Sequence, residues 1–117
     1  MHALMVFALF ASLSASSSAT EPMWMRVTTS RLMAPAQVKV LVFVEPHLDN
    51  RLLTIEVDGM PLYRASDTTL EGAGAKRAHL LQVEGLMAGE YVVRAVVHGT
   101  GNVRAAIERR FTVIGSE

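Results

Sequence analysis

The stretch Glu90-Tyr91-Val92-Val93-Arg94-Ala95-Val96-Val97-His98 decides the fold. Tyr91, Val93, Ala95 and Val97 fall on one side of an extended chain, and Glu90, Val92, Arg94, Val96 and His98 on the other. Alternation of period two, rich in β-branched residues, marks a strand with one buried face. Gly99-Thr100-Gly101-Asn102 follows and has the chemistry of a hairpin loop. Val103–Ile114 then returns as a final strand, with Ile107, Phe111 and Val113 as core candidates. Arg109 shares their parity, which predicts either a bulge or a strand that buries only part of its length.

Upstream the same period recurs. In Gln37–Glu45, Val38, Val40, Val42 and Val44 share one face, and Pro46 ends the strand. In Arg51–Asp58, Leu53, Ile55 and Val57 face inward, and Asp58-Gly59 signals a turn. Met60–Ala65 reads as a short edge strand, because Pro61 near its start lacks a ladder donor. Asp67–Ala75 reads as a connection, with Gly72 and Gly74 as its turn residues. Ala78–Val83 places His79, Leu81 and Val83 on one face, and Met23–Thr29 supplies the first strand. No segment sustains a helical period. The expected architecture is all-β: a seven-stranded antiparallel sandwich.

Leu86-Met87-Ala88-Gly89-Glu90-Tyr91 resembles the L-x-x-G-x-Y element that enters the penultimate strand of immunoglobulin-like and fibronectin type III-like domains. The resemblance implies an immunoglobulin-like β-sandwich. It also implies that the Tyr91 ring packs into the core while its hydroxyl bonds backbone a few residues upstream. The antibody-type hallmarks are absent: the chain has no cysteine, and its single tryptophan, Trp24, lies in the first strand. The chain also looks like small secreted bacterial proteins without an assigned role. Such sandwiches host unrelated functions, so the resemblance speaks to fold alone.

Residues Met1 to Ala19 contain no Asp, Glu, Lys or Arg. The apolar run Ala3–Leu13 is followed by small residues, with Ser17 and Ala19 at the positions a signal peptidase reads. The layout predicts a signal peptide over 1–19, a mature domain over 20–117 and a secreted or periplasmic location. The usual positive n-region is missing; only the amino terminus and His2 precede the run. The run is too short for a stable membrane span, and none is expected after cleavage.

The chain has 117 residues, enough for one domain, with 11 basic and 11 acidic side chains. That balance argues against nucleic acid, whose binders carry a basic footprint, and against a polybasic membrane anchor. Without cysteine there is no disulfide, thiolate metal site, cysteine nucleophile or lipidated cysteine. Ser30 and Ser66 are loop serines, and no G-x-S-x-G, H-E-x-x-H, P-loop or EF-hand pattern occurs. Asp49-Asn50 and Asp67-Thr68-Thr69 read as turn residues. No catalytic, cofactor-binding or metal residue is assigned and no cofactor is implied; an enzyme is not expected.

Two ligand readings centre on Trp24. Met23 and Met25 would present thioethers suited to Cu(I), completed by His47, His79 or His98. Packing at a sheet edge explains both methionines better. Carbohydrate binding would need exposed rings, and only Trp24 and Tyr63 offer them once Tyr91 is placed in the core. His79 reads as partly buried and hydrogen-bonded, His47 and His98 as solvated. Arg94 and Arg104 are expected to face each other across the last hairpin as a basic stripe, offset by Glu90 and Glu108. The resulting expectation is a non-catalytic exported domain that engages another envelope protein through an edge strand, either Met60–Ala65 or the first.

Overall fold

The computed structural model describes residues 22–29, 33–60 and 62–115. The proposed signal peptide lies outside them. Seven strands run in chain order: β1 (Met23–Thr29), β2 (Ala36–Val44), β3 (Leu52–Gly59), β4 (Tyr63–Thr69), β5 (Ala78–Leu86), β6 (Gly89–His98) and β7 (Val103–Val113). They form two antiparallel sheets, ordered β1-β2-β5 and β4-β3-β6-β7. One core joins the sheets, as in a β-sandwich.

The core follows from strand parity. Val38, Val40, Val42 and Val44 of β2 are buried, as are Leu53, Ile55 and Val57 of β3 and Tyr91, Val93, Ala95 and Val97 of β6. Each apolar side chain withdrawn from water contributes about 1.5–3 kcal/mol. The central strands β2, β3 and β6 therefore carry the fold. β7 buries Val113 fully and Ile107 and Phe111 only partly, while Arg109 is exposed. Its register shift lies at Val103–Ala105 opposite Val97 and His98, so the expected bulge sits at the hairpin end rather than near Arg109.

The corner at the start of β6 has the geometry that the resemblance implied. The Tyr91 hydroxyl donates to the Met87 carbonyl at 2.7 Å, and its ring stacks on Phe111 at 5.1 Å. Gly59 makes room for it: a Cβ there would lie 2.5 Å from Tyr91 Cδ2.

Three expectations are corrected. The strand placed at Met60–Ala65 is instead Tyr63–Thr69, so Asp67-Thr68-Thr69 belongs to β4 and not to a turn. Polar cross-strand bonds hold it, since the Thr54 hydroxyl donates to Asp67 at 2.9 Å and the Tyr63 hydroxyl to Glu56 at 2.8 Å. β5 runs on to Leu86, three residues past Val83. Arg94 does not face Arg104. Arg94 pairs in register with Glu108, and the Arg104 Nε donates to Asn50 Oδ1 at 3.0 Å.

Candidate functional site

β4 is an edge of one sheet and β5 an edge of the other, on the same open side of the sandwich. The chain between them closes that side. Leu70 is buried, and a single 3-10 turn (Gly72–Gly74) brings the chain against the loop before β3. Gly72 adopts φ 62° with the Leu48 carbonyl oxygen 3.1 Å from where a Cβ would stand, so a side chain there would be strained and crowded. Its N–H donates to the Asn50 carbonyl at 3.1 Å. Asn50 is itself buried and ties this region together: its Nδ2 donates to the Glu45 carbonyl at 3.0 Å while its Oδ1 accepts from Arg104.

A cavity of about 350 Å³ remains between the edges, bounded by Thr68 at the end of β4, Glu71 and Lys76 of the connection, and His79 of β5. His79 is 7% exposed. Its Nε2 lies 3.0 Å from the Lys76 carbonyl. A carbonyl only accepts, so Nε2 carries the proton and Nδ1 keeps a lone pair. Nδ1 has no hydrogen-bond partner among the described residues. No sealed side-chain nitrogen or oxygen lacks one either, so Nδ1 reaches solvent. Burial pushes the imidazole pKa below its ordinary 6.5; the Lys76 carbonyl opposes the shift and the Lys76 charge adds to it. The ring is thus neutral near pH 7. Neither Glu71 nor Lys76 joins an ion pair among the described residues, in contrast to Arg94, which meets Glu56, Asp58 and Glu108.

The Trp24 readings are taken apart by the fold. Met23 and Met25 are buried at 3% and 6% exposure, and Trp24 is on the opposite face, stacked on Phe43 at 5.3 Å. Among the described residues no three of His, Cys, Asp or Glu gather into a metal site. His47 sits in the loop after β2, His79 on β5 and His98 at the end of β6. Trp24 and Tyr63 lie on different sheets and form no shared sugar platform. His79 has the partly buried, hydrogen-bonded state that its parity predicted. What strand parity did not show is the cavity beside it.

No family model matches the chain, and no curated protein matches it. A solved structure does. It is the superoxide reductase (neelaredoxin) from Ignicoccus hospitalis, with a TM-score of 0.56 and 14% sequence identity, over 90% of this chain and 89% of that one. At that identity the likeness is one of fold. It nevertheless overturns the expected non-catalytic module and the expectation that the chain is not an enzyme. Both rested on a small motif-poor sandwich offering no place for chemistry, and the structural neighbour of the same size is an enzyme.

Superoxide reduction moves one electron and so calls for an electron donor. The described residues do not assemble a resident metal site, and the whole chain lacks cysteine. Around the cavity they supply a cation, a carboxylate and a neutral imidazole.

Proposed function

We propose that this chain is a redox enzyme acting on a small anionic oxygen species, with the cavity beside His79 as its substrate site. The observation that carries the reading is the near full-length likeness to a superoxide reductase. The cavity supports it. Lys76 lines the cavity and offers an ammonium to an anion, beside the carboxylate of Glu71. His79 lines it with an Nδ1 free to accept a hydrogen bond from a protonated oxygen, and buried Leu70 adds an apolar wall. Superoxide becomes hydrogen peroxide by taking one electron and two protons; the electron comes from a reduced electron-transfer partner. The fold is read as immunoglobulin-like on the Tyr91 corner and the strand order. The secreted or periplasmic location rests on the layout of residues 1–19.

The test measures superoxide decay with the full chain, a reduced electron donor and each of Fe(II), Mn(II) and Cu(II) in turn. Decay faster than with the same metal and donor in the absence of protein, slowed in His79→Gln and Lys76→Gln, supports the reading. Decay no faster than in the matching protein-free control under every condition, or activity indifferent to both substitutions, overturns it. In the exported fraction the recovered mass is expected to begin at Thr20.

A further inference from the structure

The two outer faces of the sandwich differ. Outside the four-stranded sheet, acids surround Arg94 in a paired network. Outside the three-stranded sheet, the register aligns Trp24 with Phe43 and Arg26 with Leu41 and Leu80. Trp24 is 41% exposed and Leu80 61%. Nothing among the described residues covers them. The Arg26 guanidinium lies 6.0 Å from the Trp24 ring centre, and Lys39 stands one row further along, exposed. Neither cation joins an ion pair among the described residues. The acid at the far end, Glu84, accepts from Gln37 and Gln82. The face is therefore apolar and aromatic at its middle, where Arg26 and Lys39 stand, with Glu84 at one end and Glu45 of the same parity at the other.

We propose that this face docks on the anionic headgroup layer of a lipid bilayer. Two observations choose that occupant. Tryptophan favours the membrane–water interface, where its ring is apolar and its N–H stays wet. Arg26 and Lys39, outside any ion pair among the described residues and beside exposed Leu80, match negative headgroups above acyl chains. This docking is independent of the chemistry proposed for the His79 cavity.

Trp24 is the sole tryptophan, so its fluorescence reports this face alone. The full chain is mixed with vesicles of phosphatidylcholine, with and without phosphatidylglycerol, and with brominated acyl chains as quenchers. The expected result is a blue shift and quenching of Trp24 on the anionic vesicles. Arg26→Gln with Lys39→Gln weakens partitioning about twenty-five-fold, about fivefold per cation. Both positions are exposed, and an unchanged melting temperature confirms that the variant folds. If the chain sediments with vesicles while Trp24 emission stays unchanged, the apolar run alone holds it and the docking is overturned. An equal response to neutral and anionic vesicles overturns it as well. A shift that needs no vesicles and grows with protein concentration would make a second copy of the chain the occupant instead.

Discussion

Tyr91 shows how much one side chain decides. Its ring is fully buried against Phe111 and over Gly59, and its hydroxyl donates to Met87. Burying a hydroxyl is tolerable only with a partner, and the Met87 carbonyl supplies it. Tyr91→Phe keeps the ring and removes the bond, leaving the Met87 carbonyl without its donor. The expected loss is about 1–2 kcal/mol in urea unfolding at neutral pH. An unchanged unfolding midpoint would mean that water serves that carbonyl equally well. His79 and Asn50 follow the same rule in different settings. Asn50 satisfies both ends of its amide with Glu45 and Arg104. His79 satisfies one nitrogen, leaves the other without a partner and lines a cavity, which is what makes it a candidate for chemistry.

Arg94 joins two neighbouring strands to its own at the element scale. Its guanidinium on β6 lies 3.3 Å from Glu56 and 3.5 Å from Asp58, both on β3, and 3.5 Å from Glu108 on β7. Arg94→Met would leave three carboxylates around a neutral side chain. The melting temperature is expected to fall at low ionic strength, and the gap to the parent protein to narrow in about 0.5 M NaCl, where charges are screened within a few ångströms. A gap independent of salt would assign the loss to packing of the arginine stem. The strands that Arg94 bridges also show what the sequence can tell. β2, β3 and β6 are legible to within a residue because each buries one face and writes it as alternating valine, leucine or isoleucine. β4 buries almost nothing, so no apolar period marks it, and polar pairs such as Thr54–Asp67 are visible only once the strands are aligned. The cavity was hidden for a related reason. Its walls lie between residues 68 and 79, yet they enclose space only because β4 and β5 end up as edges of opposite sheets. Local pattern does not carry that placement.

Over the whole molecule, stability depends on pH through groups whose proton affinity changes on folding. His79 is the group that matters near neutrality. Folding lowers its pKa below 6.5, because burial disfavours the charged ring. Between the two values the unfolded chain binds more protons than the folded one, so stability rises with pH there. Its contribution is complete above about pH 6.5 and is lost on acidification through that window. At the alkaline end the signs reverse. Tyr91, raised above 10.0 first by burial, and Tyr63, raised first by its bond to Glu56, keep their protons longer when folded. Their contribution is complete below pH 10 and lost as they ionise. Asp49 is shifted downward by its bonds to Thr100, so its contribution is lost only below its ordinary 3.8, well clear of the histidine window. A plateau from about pH 6.5 to 10 should result, falling first on the acid side. Urea midpoints measured from pH 8 down to pH 5 are expected to decline, and His79→Gln, which cannot take up a proton, should flatten that decline. If the variant declines as steeply as the parent, another group controls acid stability and the ring beside the cavity is not held neutral by its burial. The experiment therefore reads the protonation state on which the proposed substrate site depends, without requiring any activity.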